Sequence, residues 1–134
     1  MAEPRPAPST RPVTEKLLLK PGMRALVLNA PPGYLDQFPK DVQVEQQVGG
    51  GAYDFIQLFA TRREELLSLG PKLREAVKPN GLLWISYPKG KALPTDLNRD
   101  VVRVTSEQVG LETVSQVAID DVWSALRHKV VGPH

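Results

Sequence analysis

One stretch, Tyr53 to Lys89, limits what this chain can fold into more than any other. It reads YDFIQLFA, then TRREELLSLGPKLREAVKPNG, then LLWISYPK. Asp54 to Ala60 is a run of strand length with apolar residues on both parities, the pattern of a strand covered on both faces. Thr61 then opens a helix. Glu64 follows three positions on, so Thr61-x-x-Glu64 reads as a capping box, each side chain satisfying an amide that the first helical turn leaves free. Leu66, Leu67, Leu69, Leu73, Ala76 and Val77 recur near helical spacing and supply an apolar face. Gly70-Pro71 interrupts them, which predicts either a kink or a restart with Pro71 in a first turn. Pro79-Asn80-Gly81 predicts a turn in which Asn80 or Gly81 takes positive φ. Leu82 to Tyr87 is the next buried strand. Two parallel strands joined through a helix make a right-handed βαβ unit almost without exception.

The flanking sequence extends this unit into a sheet. Met1 to Pro12 holds four prolines among Ala, Ser, Thr and Arg, the composition of a disordered tail, so the domain is expected over residues 14–134 with a tail over 1–13. Thr14 to Leu19 suits a short helix or an extended lead-in. Arg24 to Leu28 is a first strand, Tyr34 to Phe38 a short helix, and Asp41 to Glu45 a second strand. Gly49-Gly50-Gly51 reads as a flexible connector into Tyr53. After the central unit, Thr95 or Asp96 can cap a helix from Leu97 to Val109, with Leu97, Val101, Val104 and Gln108 along one side. Gly110 is a helix stop. Leu111 to Ile119 and Trp123 to Val131 alternate as strands and are separated by the Asp120-Asp121 turn, so they predict a hairpin.

Strand, helix and strand around Lys78-Pro79-Asn80-Gly81-Leu82-Leu83, then helix, strand and an antiparallel last strand, resemble the second half of class I S-adenosylmethionine-dependent methyltransferases. More narrowly, YDFIQLF, LLWISYPK, TDLNRD and AIDDVWSALR resemble a small bacterial family of uncharacterised domains with that fold, over nearly everything from Leu17 to Lys129. The resemblance implies an α/β, three-layer, Rossmann-like domain. Leu28 to Tyr53 has room for one helix and one strand where a complete methyltransferase places two strands, since each parallel crossover needs a dozen or more residues. The expectation is therefore a mostly parallel six-stranded sheet, order 2-1-3-4-6-5, with the last strand antiparallel and a reduced N-terminal half.

Function is less constrained. In open α/β sheets ligands bind beyond the carboxyl ends of the parallel strands. That rim is expected to gather Asn29, Gly33, Thr61, Arg62, Lys89, Asp96, Asn98, Arg99, Asp100, Asp120 and Asp121. Of these, Lys89, Asn98 and Arg99 suit an anion; Asp96, Asp100, Asp120 and Asp121 suit a cation or amine. Capping and turn chemistry explain the same residues. Glu45, at the end of the second strand, stands where an acidic residue binds ribose hydroxyls, although a surface glutamate is the commoner meaning. S-adenosylmethionine is the cofactor the resemblance implies, yet the first-strand loop disfavours it. Asn29-Ala30-Pro31-Pro32-Gly33 has one glycine, and its two prolines remove amide donors that a phosphate or ribose cradle uses.

Other chemistries fare no better. The chain has no cysteine and only His128 and His134, so neither a thiolate or His-rich metal site nor a Ser-His-Asp set is apparent. Gly-x-Ser-x-Gly and the P-loop are absent. A net charge of +2 from scattered basic residues, with three Tyr, three Phe and two Trp for stacking, argues against a nucleic-acid partner. No stretch approaches the ~20 apolar residues of a membrane span, so a cytoplasmic location is the default expectation. The reading that results is a non-catalytic binding or interaction module, pairing with itself or another protein through the antiparallel edge. The alternative is a minimal methyltransferase or another nucleotide-binding enzyme.

Overall fold

The computed structural model describes residues 12–90 and 92–131. Its elements are α1 (Val13–Lys16), β1 (Arg24–Leu28), a 3-10 helix (Tyr34–Gln37), β2 (Gln43–Glu45), β3 (Tyr53–Phe59), α2 (Arg63–Ala76), β4 (Val77–Pro88), α3 (Arg99–Gln108), β5 (Leu111–Ala118) and β6 (Trp123–Val130). They form one six-stranded sheet in the order β2-β1-β3-β4-β6-β5. β1 pairs parallel with β2 and β3, and β3 parallel with β4. β6 alone runs antiparallel to its neighbours β4 and β5. The expected order and strand directions are those observed. The tail expected over residues 1–13 lies, up to residue 11, outside the described residues; Val13 already belongs to α1.

The sheet has a core on each face. On one, Leu66, Leu73 and Ala76 of α2 and Val102 of α3 pack on Leu26, Ile56, Leu58, Leu83, Ile85 and Leu126. On the other, Val27, Phe55, Phe59, Trp84 and Ala125 are covered by Leu17, Leu19 and Tyr34. Cover on this second face comes from short elements. The lead-in is pinned by the Trp84 indole N–H, which donates to the Leu17 carbonyl at 3.1 Å, and by Lys16 Nζ, which donates to the Ala118 carbonyl at 2.7 Å.

Several local expectations change. The capping box at Thr61 and Glu64 gives way to a different arrangement: Glu65 Oε1 accepts from the amides of Thr61 and Arg62, because the helix starts two residues later than Thr61. The next amide, Arg63 N, donates to Asp96 Oδ1 at 2.8 Å, so Asp96 caps α2 rather than α3. Asn98 caps α3, its Oδ1 accepting from Val101 N at 2.9 Å. The helix α2 continues through Gly70-Pro71 without a break. Gly70 is required there because a Cβ would stand 2.7 Å from Val109 Cγ2, where the end of α3 crosses. The buried side of α3 is Val102, Thr105 and Ser106, one position round from the expected stripe, and Val104 is exposed. One residue is about 100° of helix, so docking against α2 and β5 overrides the apolar count.

The Pro79-Asn80-Gly81 turn lies inside β4 as a bulge. Tyr53 pairs with Val77 and Phe55 with Leu82, so the residues between are extruded. Asn80 has φ of 65°. A Cβ on Gly81 would meet Val77 Cγ2 at 2.8 Å and the Lys78 carbonyl at 2.9 Å, so only glycine fits. No helix among the described residues is long and apolar enough to cross a membrane.

Candidate functional site

The carboxyl rim assembles much as its strand order dictates. Asn29 Nδ2 donates to the Phe59 carbonyl at 3.3 Å, tying the end of β1 to the end of β3. Thr61 O accepts from the Thr95 hydroxyl and from Asp96 N. Lys89 N donates to the Val122 carbonyl at 2.7 Å, joining the end of β4 to the turn before β6. Loops that are distant in sequence thus meet on one edge.

Most of their polar groups are committed to holding those loops. Asp120 Oδ1 accepts from the amides of Val122 and Trp123, both at 2.8 Å, and closes its own turn. Asp96 and Asn98 cap helices, as described. Gly33, at φ of 80°, opens the 3-10 helix. Arg62 makes an exposed ion pair with Glu64 at 3.3 Å. Arg99 sits at the start of α3 beside Arg103 and lines a small cleft against Thr113 to Gln116 of β5, away from Lys89. The side chains of Lys89, Asp100 and Asp121 have no hydrogen-bond or ion-pair partner among the described residues. The acids gather around no common point: among the described residues no three His, Asp or Glu side chains come together to hold a metal.

Below the rim, aromatic rings fill the space. Tyr34 packs edge-on against Phe59 at 4.8 Å between centroids, and Phe59 against Trp123 at 5.0 Å. The Tyr34 hydroxyl donates to Gln57 Oε1 at 2.7 Å, and Gln57 Nε2 donates to Ser86 Oγ at 3.0 Å. This buried row satisfies three polar groups that would otherwise be costly to enclose. Burial pushes the Tyr34 phenol well above its ordinary pKa, so it remains a neutral donor.

Glu45 decides how the rim compares with a cofactor site. Its carboxylate accepts from Arg24 Nε at 2.8 Å and from the Tyr53 hydroxyl at 2.6 Å. Arg24 is the first residue of β1 and Tyr53 the first of β3. The acid therefore faces the amino edge of the sheet, opposite the rim, and is neither a ribose ligand nor a free surface glutamate. Hydrogen bonds from Arg24 and Tyr53 hold its pKa below the usual carboxylate value. Arg24 also stands 4.1 Å from the Tyr53 ring centroid and donates to the carbonyls of Gly50 and Ala52. The glycine run is thus a bonded turn wrapped around the arginine rather than a free connector.

No protein-family model and no curated protein sequence matches the chain. Solved structures do. Magnesium protoporphyrin IX methyltransferase from Synechocystis PCC 6803, with bound SAM, superposes with a TM-score of 0.62 at 12% identity, over 90% of this chain and 76% of that one. Ribosomal protein L11 methylase from Lactobacillus delbrueckii subsp. bulgaricus gives a TM-score of 0.61 at 14% identity, over 90% and 75%. CcbJ methyltransferase from Streptomyces caelestis gives 0.57 at 9% identity, over 90% of each chain. The fold is that of the class I methyltransferases.

The residues present do not fit that fold's cofactor. Pro31 and Pro32 lack the amide donors a cradle uses, the Asn29 amide is engaged by Phe59, and Glu45 is held at the far edge. Sequence reading could not see that Asp96 caps a helix whose first residue lies 33 positions before it, or that Glu45 turns away.

Proposed function

We propose that this chain is a non-catalytic binding or interaction module built on a methyltransferase-like scaffold. The single observation that carries the reading is the engagement of Glu45 by Arg24 and Tyr53, which takes the second-strand acid out of the position that binds ribose. The prolines after β1 and the aromatic packing of Tyr34, Phe59 and Trp123 act in the same direction. On this reading a partner meets the antiparallel edge of the sheet at β5, and the rim adds Lys89, Asp100 and Asp121 as charged side chains without partners among the described residues. Those side chains carry charge without being needed for caps or turns. Fold alone does not assign a reaction, since one scaffold hosts unrelated activities. Calorimetric titration with S-adenosylhomocysteine tests the proposal, and no saturable heat is expected. A stoichiometric isotherm would replace the module with an enzyme using the alternative cofactor reading.

A further inference from the structure

We propose that the amino edge of the sheet carries a second binding site, for a small ligand bearing an oxyanion. A cleft of about 430 Å³ opens there, between Val77–Gly81 and Arg127–Val130. That volume is in the range of small-molecule sites. The bulge in β4 creates it. Pairing between β4 and β6 ends at Leu83 and His128, while β6 continues to Val130 with β5 as its only strand neighbour. Pro79 cannot donate to a ladder, and Asn80 takes a positive φ, so residues 78–81 swing away and leave the slot.

Its charge is of one sign. Lys78, Arg127 and Lys129 line it, with no acidic residue among the described lining. Lys78 is already matched by Asp54 at 2.9 Å. The other two are not. Arg127 is partly buried, its Nε is sealed from solvent without a hydrogen-bond partner, and its guanidinium has no ion pair among the described residues. Lys129 is exposed and likewise unpaired. The two lie two residues apart on β6, so strand alternation puts both on the same face, the one thinly covered by the lead-in. Glu112 stands opposite Lys129 across the hairpin but does not line the cleft.

An enclosed Nε without a partner leaves the Arg127 guanidinium partly dehydrated with no counter-charge, and an oxyanion relieves that cost through charge-assisted hydrogen bonds. Since Nε is enclosed, the terminal nitrogens of Arg127 make the contact, with Lys129 as the second cation. Pro79 gives an apolar wall, so the ligand class is a phosphate ester or carboxylic acid with a small apolar portion. This site is separate from the rim and does not depend on whether S-adenosylmethionine binds there.

The test is an amide NMR titration of the whole chain with inorganic phosphate and, separately, acetate, at ionic strength fixed with sodium chloride. Saturable shifts confined to residues 78–81 and 127–130 are expected, and the stronger of the two anions identifies phosphate or carboxylate as the preferred group. Arg127→Gln should weaken binding roughly tenfold, the size of one charge-assisted hydrogen bond. Lys129→Gln, on an exposed side chain that folding does not need, should weaken it severalfold. Lys72→Ala, an exposed lysine of α2 outside both the rim and the cleft, should leave anion affinity unchanged. Linear shifts that chloride reproduces, saturation at the rim, or affinity that survives Lys129→Gln would each overturn the proposal.

Discussion

Acidification from pH 7 to pH 5 is expected to destabilise this protein by about 2 kcal/mol through His128 alone. The residue is 2% exposed on β6, with Thr113 Oγ1 2.9 Å from Nε2. Burial lowers its pKa from an ordinary 6.5 to about 4. A lowered pKa means that the unfolded chain takes up the proton first. Between those two values the unfolded state binds more protons than the folded state, so stability falls as pH falls, by up to ~1.4 kcal/mol per pH unit. The loss begins near pH 6.5 and levels off below pH 4. Over the interval from pH 7 to pH 5 it sums to about 2 kcal/mol, a substantial share of the 5–15 kcal/mol typical of a domain. Urea unfolding at both pH values measures it, with His128→Gln as the comparison. The variant should be less stable at pH 7 because it disturbs a packed site, yet lose about 2 kcal/mol less than the parent on going to pH 5. Equal losses in the two proteins would refute the argument. So would an NMR titration placing the His128 ring near pKa 6.5, since His134 is the only other histidine and is separable by its shift.

Other substitutions probe the packing that positions the two edges. Asp96→Ala removes the acceptor for Arg63 N and should cost about 1 kcal/mol, a fall of roughly 3–5 °C in Tm by thermal unfolding, while Asp100→Ala should leave Tm unchanged. Gly81→Ala forces a Cβ within 2.8 Å of Val77 Cγ2 and should cost about 1–3 kcal/mol in chemical denaturation. Trp84→Phe leaves the Leu17 carbonyl without its indole donor; about 1 kcal/mol of destabilisation is expected, with faster amide exchange in residues 17–19.

The parts of the fold that were legible in the sequence are those with a local cause. Asp54 to Ala60 and Leu82 to Tyr87 are apolar on both parities, Gly110 ends a helix at φ of 82°, and Asn80 takes the positive φ its turn requires. With those fixed, the length from Leu28 to Tyr53 and the handedness of crossovers left little freedom in strand order. What could not be read depended on partners distant in sequence. Asp96 has the chemistry of a cap for the helix that follows it, and caps the preceding one because β3 and β4 bring their carboxyl ends together. Val104 keeps helical spacing with Leu97 and Val101, yet Thr105 is buried instead because Val109 must meet Gly70. Glu45 carries the right charge at the right strand end, and only the position of Arg24 shows that it faces the other way. The amino-edge cleft had a visible signal in Lys78-Pro79-Asn80-Gly81, but its second wall, Arg127 to Val130, is supplied by the last strand.

The proposed module is a methyltransferase-like scaffold without the means to hold the methyltransferase cofactor. Thermal unfolding with and without millimolar S-adenosylmethionine and S-adenosylhomocysteine tests it most directly. A ligand present at a hundred times its dissociation constant adds ~2.7 kcal/mol, enough to raise the midpoint of a domain this size by several degrees. An unchanged midpoint with both compounds is expected; a rise of several degrees with either would restore the loop from Asn29 to Gly33 as a cofactor pocket.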